Sequence, residues 1–220
     1  MTPALRPRVK ICCIASVDEA WLAIEHGASA VGLVSEMPSG PGVIPGERIA
    51  EIAAAVPPGV ASFLLTSRRD AASIAAQHRR VRTTAVQICD RLEADAYRAL
   101  RAALPGVGLV QVVHVTRPES VDEAVAVASR VDALLLDSGN PELAVKALGG
   151  TGRRHDWGLS RRIRAAVHVP LFLAGGLRPE NVAEAVGEVG PFGLDVCTGV
   201  RTDSRLDEAK LAAFMVAAGL

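Results

Sequence analysis

Aromatic residues are scarce in this sequence: two Trp, one Tyr and four Phe make up 3% of its 220 residues. That excludes the stacked aromatic platforms on which single-stranded nucleic acids bind and leaves the core to Val, Leu, Ile and Ala. A surplus of one charge is also missing. Twenty-four Lys and Arg balance twenty-four Asp and Glu, a formal net charge of +0, so the chain lacks the basic field a nucleic-acid partner needs. No apolar run approaches the roughly 18 residues of a membrane span. Residues 1–10 carry Pro3, Arg6, Pro7 and Arg8 and no apolar stretch of the secretory kind, which predicts a cytoplasmic protein with no membrane partner. The four cysteines, Cys12, Cys13, Cys89 and Cys197, show no CxxC spacing, and in a reducing compartment they read as free thiols rather than a disulfide framework.

What the sequence does have is a regular alternation. Half of its residues are hydrophobic and 22% are charged, the composition of a globular domain. Short β-branched runs predict strands over 8–13, 30–35, 60–66, 84–89, 107–113, 132–137, 170–174 and 192–197. They are nearly continuous in apolar character, as strands buried on both faces are. Amphipathic runs predict helices over 17–27, 46–56, 69–79, 92–103, 118–130, 158–167, 179–188 and 206–218. Ser16 with Glu19 three residues on reads as a helix start, Gly27 as the first helix's end, and Pro118 and Pro179 as first-turn prolines. Eight β/α units without a linker predict an α/β fold, a single-domain (β/α)8 barrel of the TIM type spanning 1–220.

In such a barrel, chemistry sits at the C-terminal ends of the strands. Two constellations stand there. The first is a set of glycines: Gly175-Gly176 leading toward a helix, Thr198-Gly199 after the last strand, and Gly149-Gly150-Thr151-Gly152 in the loop after the sixth. Close backbone approach and free first-turn N–H groups suit a dianionic phosphate; tight turns alone are the bland alternative. The second is Cys12 at the end of the first strand with Asp137 at the end of the sixth. Asp137 closes the apolar run 133–136, where burial raises a carboxyl pKa and suits it to act as an acid. A thiol works as a base only when ionised, and the residues alone leave open both the direction of proton transfer and the reading of Cys12 as a small buried hydrophobe.

The ordered set Lys10-Ile11-Cys12, Asp18-Glu19-Ala20, Leu135-Leu136-Asp137-Ser138, Gly149-Gly150-Thr151-Gly152 with Asp156-Trp157, Leu173-Ala174-Gly175-Gly176-Leu177 with Pro179-Glu180-Asn181-Val182, and Gly193-Leu194-Asp195-Val196-Cys197-Thr198-Gly199-Val200 resembles the phosphoribosylanthranilate isomerase family of tryptophan biosynthesis. The resemblance implies a barrel enzyme without cofactor or metal, an intramolecular aldose–ketose isomerase that performs an Amadori rearrangement. It implies Cys12 as the base that takes the sugar C2 proton and Asp137 as the acid that protonates the ring oxygen. Phosphate would lie on Gly150, Gly175, Gly176, Thr198 and Gly199, and Lys10, Cys89, His114, Asp195 and Arg153 would complete the pocket. The expected partner is a small phosphosugar, and the chain is a monomer or a homodimer.

The first half departs from that family. Its Cys-Gly-x-Thr is Cys12-Cys13-Ile14-Ala15 here, and its Val-Gln-Leu-His-Gly is Val86-Gln87-Ile88-Cys89-Asp90. Its Ser-Pro-Arg, whose arginine grips the anthranilate carboxylate, is Gly40-Pro41-Gly42. A missing guanidinium removes a bidentate contact, and Arg153-Arg154 are placed in the sequence to replace it. Isomerase or lyase chemistry on another phosphorylated sugar adduct, or phosphosugar binding without catalysis, are the alternatives these departures raise. A thiolate–imidazole metal site at Cys89 and His114 is the weaker reading, since Cys89 and Cys197 fall on opposite sides of the barrel.

Overall fold

The first strand is only four residues long, Arg8–Ile11 (β1), and three of those four side chains are buried. The other strands share that economy: Ala30–Val34 (β2), Ala61–Thr66 (β3), Ala85–Ile88 (β4), Gly108–His114 (β5), Ala133–Asp137 (β6), Leu171–Leu173 (β7) and Gly193–Val196 (β8). In this computed structural model, which describes residues 6–140, 142–150 and 152–220, they pair in sequence order and β8 returns to β1, closing an eight-stranded barrel. Every neighbouring pair in the barrel is parallel.

Side chains alternate across each strand, and the alternation divides the interior into two cores. Outward residues such as Val9, Ile11, Leu33, Leu64, Val86, Leu134 and Leu173 pack under the helices. Inward residues, among them Phe63, Leu65, Val110, Val112, Leu135 and Phe172, fill the barrel. Phe63 and Phe172 meet edge to face, 6.0 Å between ring centres. The helices on the outside are Val17–Glu25 (α1), Gly46–Ala55 (α2), Ala71–Val81 (α3), Ala94–Ala103 (α4), Ser120–Ala128 (α5), Trp157–Ala166 (α6), Val182–Val189 (α7) and Glu208–Ala217 (α8). Among the described residues no helix is long and apolar enough to cross a membrane.

All eight predicted β/α units are present, but five helices, α3, α4, α5, α7 and α8, begin two or three residues later than predicted, and two of these delays involve prolines. Neither Pro118 nor Pro179 lies inside a helix: α5 begins at Ser120 and α7 at Val182. Asn181 explains the second delay, since its side chain accepts from Arg178 N–H and donates to Gly176 C=O, holding a turn where the helix was expected.

A hairpin of Arg201–Thr202 (β9) and Arg205–Leu206 (β10) before α8 carries no Gly and was not legible. Asp203 and Ser204 take its left-handed positions, φ 48° and 63°. Arg201 is what this hairpin contributes to the barrel. Its guanidinium donates to the C=O groups of Cys12 and Cys13 and to both oxygens of Glu19. Burial raises the Glu19 carboxyl, but Arg201 and the N–H groups of Leu206 and Ala15 outweigh it and hold the group below the ordinary range. Arg201→Ala is expected to lower the unfolding free energy by about 2–3 kcal/mol, the scale of lost hydrogen bonds to charged groups, measured by urea denaturation. Because the folded pKa of Glu19 is depressed, its stabilisation is complete above the unfolded value of about 4.3. The difference between parent and variant therefore shrinks as pH falls through the lower, folded value.

Candidate active site

Strand parity puts the chemistry together. Lys10, Gln87, His114, Asp137 and Asp195 share the inward-facing position of their strands with Phe63, Leu135 and Phe172, and Cys12, Cys89 and Cys197 continue that parity one or two residues past a strand end. Above them, at the C-terminal end of the barrel, a cavity opens to solvent. Cys12, Gln87, Cys89, Asp137, Asp195, Cys197 and Thr198 line it, as do Gly150, Gly152 and Gly175. Lys10, His114, Gly176, Gly199 and Arg153 are not among the lining residues. Thr151 of the predicted glycine segment lies outside the described residues.

Lys10 lies wholly buried beneath Cys12, its Nζ 2.7 Å from Asp195 Oδ1 and 5.5 Å from the centre of the Phe63 ring. Gly32 on the neighbouring strand makes room for it: a Cβ there would stand 2.9 Å from both Lys10 Nζ and Cys12 Sγ. Burial lowers the Lys10 pKa, but Asp195 and then Cys12 outweigh it and the ammonium is held charged. Cys12 is shifted the other way. The neighbouring Cys13 thiol, opposed by burial and reinforced by Lys10, lowers the Cys12 pKa below the ordinary thiol value of 9.0. The arrangement favours a thiolate at Cys12.

Asp137 faces the same cavity from β6. Burial raises its pKa above the ordinary carboxyl value, against the smaller pull of His114 and the Ser138 N–H. Register sets His114 beside it. The His114 ring bonds the Cys89 C=O through Nε2 at 3.0 Å, which makes Nε2 the protonated nitrogen, and Nδ1 has no partner among the described residues. Cys89 is driven up by burial and behaves as a small apolar group. Among the described residues no group of three or more His, Cys, Asp and Glu side chains is arranged to hold a metal ion; His114 meets Cys89 through backbone oxygen.

Between the acid at the end of β6 and the base after β1, at the ends of β7 and β8, lies the glycine corner. After β8 a short 3-10 helix, Thr198–Val200, begins at the cavity, and its first N–H groups have no intrahelical partner. A short extra helix at this place is where barrels commonly hold phosphate. The role expected of the following long helix is corrected: α7 starts six residues beyond Gly176, and Val182 N–H is already bonded to Arg178 C=O. Donors at this corner therefore come from the loop amides around Gly175 and Gly176 and from Thr198 and Gly199.

Two departures in the first half of the chain prove to be one. Gly42 has φ +80°, and a Cβ on it would stand 2.5 Å from Cys13 Cβ and 2.9 Å from Cys13 Sγ. A side chain at 42 and the Cys13 thiol compete for the same space. Arg154, suggested as a replacement cation, is committed elsewhere: its guanidinium stacks 3.5 Å over the Trp157 ring and pairs with Glu184 and Glu188. The Arg153 backbone packs against Gly176, 2.7 Å from where a Cβ would be. No Arg or Lys is among the described residues lining the cavity.

Sequence reasoning assigned no substrate-site role to three residues. Gln87 lines the cavity, and its buried Oε1 has no partner among the described residues; strand parity with Cys89 was the signal. Cys13 breaks parity, its left-handed backbone, φ +63°, bringing an otherwise outward residue to the cavity. Arg201 gave no local signal because its partners are far away in sequence.

The family model for N-(5'-phosphoribosyl)anthranilate (PRA) isomerase matches residues 9–217. The N-(5'-phosphoribosyl)anthranilate isomerase of Haloferax volcanii is 38% identical over 213 residues, 96% of this chain and 92% of that one. The phosphoribosyl anthranilate isomerase structure from Thermotoga maritima superposes with a TM-score of 0.81 at 30% identity, covering 97% of this chain and all of that one. A crystal structure of the isomerase in complex with reduced 1-(o-carboxyphenylamino)-1-deoxyribulose 5-phosphate also gives 0.81, at 27% identity, covering 97% of this chain and 100% of that one. With an eight-stranded barrel, a buried thiol and acid facing one cavity, and a match over nearly its whole length, this chain belongs to the N-(5'-phosphoribosyl)anthranilate isomerase family.

Proposed function

We propose that Cys12 and Asp137 are the general base and general acid of the aldose–ketose isomerisation this chain catalyses, the conversion of N-(5'-phosphoribosyl)anthranilate to its aminoketose. The observation that carries the assignment is electrostatic: two groups facing one cavity are shifted in opposite directions, the thiol toward thiolate and the carboxyl toward its acid. Such a pair is what simultaneous acid and base chemistry near neutral pH requires. Asp137 gives its proton to the ring oxygen as the C1–O bond breaks, leaving a carbon–nitrogen double bond. Cys12 takes the proton from C2, and the electron pair of that C–H bond flows toward nitrogen. The resulting enolamine tautomerises to the ketose.

The loop amides at Gly175 and Gly176 and the 3-10 helix at Thr198 and Gly199 receive the phosphate, with Gly150 near. Gln87 Oε1 offers an acceptor for a sugar hydroxyl. The aromatic ring then lies toward Val34, Met37, Pro41, Leu65 and Leu148, the apolar side of the cavity.

The test is turnover of N-(5'-phosphoribosyl)anthranilate generated in situ, together with its dephosphorylated analogue. Loss of the phosphorylated substrate, with kcat/KM at least about 100-fold lower for the analogue, is expected, since an anion held by several charge-assisted bonds at about 1.5–3 kcal/mol each supplies that much. Equal efficiency on both would place the phosphate outside the glycine corner.

A further inference from the structure

Three of the four thiols meet at one corner of the cavity. Cys12 and Cys13 follow β1, and Cys197 follows β8, which pairs with β1 through Ile11 and Val196. Cys197 Sγ lies 2.6 Å from Cys13 Sγ. Both are free thiols and both line the cavity, Cys197 half-buried and Cys13 only 6% exposed. Covalent S–S bonding needs about 2.05 Å between sulfurs, so the pair is poised within about half an ångström of it. The left-handed backbone at Cys13 is what brings these sulfurs together, and Gly42 leaves the space that its side chain occupies.

We propose that Cys13 and Cys197 form a reversible disulfide, a thiol-redox site at the mouth of this barrel whose co-reactant is a low-molecular-weight disulfide. Cys197, the more accessible sulfur, enters first: its thiolate attacks one sulfur of the co-reactant, forming a mixed disulfide and releasing one thiolate. Cys13, deprotonated in turn, attacks the Cys197 sulfur and expels the second. The protein loses two electrons and the protons of Cys13 and Cys197; the co-reactant gains both and becomes two thiols. Cys89, on the far side of the barrel, takes no part.

The link reaches catalysis through Cys12. Reduced Cys13, next to Cys12 in the chain and lining the same cavity, favours charge on the Cys12 sulfur, and a sulfur bound to Cys197 has no hydrogen left to do so. Oxidation therefore removes the largest contribution favouring the Cys12 thiolate. This second part rests on the reading of Cys12 as the base, whereas the disulfide itself does not.

The experiment equilibrates the full chain with oxidised glutathione, blocks the remaining thiols with an alkylating agent, and reads mass, peptide map and turnover on the same samples. The expected product has taken up two alkyl groups rather than four, carries no glutathione, and joins the peptides that contain Cys13 and Cys197. Cys12→Ser gives the same link, and dithiothreitol reverses it. Turnover at neutral pH falls about tenfold or more in the linked protein, the change in thiolate fraction that one unit of thiol pKa makes, and returns on reduction. Four alkylated thiols, a lasting glutathione adduct on Cys197, or a link that requires Cys12 would each overturn the disulfide. A Cys13–Cys197 link with unchanged turnover supports the disulfide and overturns the base assignment instead.

Discussion

Asp137→Asn lowers kcat by about 10²–10⁴-fold, the span that a positioned proton donor contributes, while KM stays within a few-fold because the amide keeps the carboxyl's shape. Cys12→Ala gives a loss in the same range, and the double variant is little worse than either, since the two act as a unit. The pH dependence of kcat/KM separates the groups. Activity falls on the acid side as Cys12 gains its proton, at a pH below the ordinary thiol value, and on the alkaline side as Asp137 loses its own, above the ordinary carboxyl value. Asp137→Asn removes the alkaline limb alone.

Stability distinguishes this from unfolding. A carboxyl whose folded pKa is raised supports the fold while protonated and costs stability as pH rises through that value. Asp137→Asn is thus at least as stable as the parent at neutral pH, measured in urea. A variant that kept kcat within a factor of a few would sink the acid assignment.

Lys10→Met destabilises the protein by about 3–5 kcal/mol, because removing one member of a buried pair leaves the other charge uncompensated. Asp195 is that charge, 8% exposed and bonded to Lys10 at 2.7 Å. Lys10→Met with Asp195→Asn costs less than Lys10→Met alone, since no carboxylate is then stranded. The sign for pH follows from the raised ammonium pKa: the pair is intact throughout the neutral range and fails only as strongly alkaline pH deprotonates Lys10. Activity responds separately. Cys12 loses the Lys10 cation in both variants, so its titration, followed by thiolate absorbance, moves to higher pH in each, less far in the double variant because Asp195, which raises the thiol, is neutralised as well. An unmoved Cys12 titration in folded Lys10→Met would remove Lys10 from the machinery.

The barrel was legible because each strand announces itself twice, once by β-branched apolar character and once by the helix that follows. Cys12 and Asp137 were legible because they stand at the ends of such runs, where chain direction alone puts a side chain at the catalytic end. Long-range geometry was not. The Arg201 clamp on β1 joins residues more than 180 positions apart, and the β9–β10 hairpin turns on Asp203 and Ser204, which carry no Asn-Gly or Asp-Gly signal. Pro179 misled because Asn181 captures the backbone that a first helical turn would have used. Cys13 was legible as a strand-end residue, but its parity points outward and only a positive φ turns it to the cavity.

The contact between residues 13 and 42 also limits what substitution can put at 42. In the pattern this sequence resembles, glycine follows the catalytic cysteine and an arginine stands at 42; here thiol and glycine have exchanged that arrangement. Of the four combinations, only thiol with arginine puts two side chains into one volume. Gly42 also holds a left-handed φ of +80°, which strains any side chain there. In this chain no single replacement at 42 restores a guanidinium: the Cys13 thiol and the loop conformation must both give way.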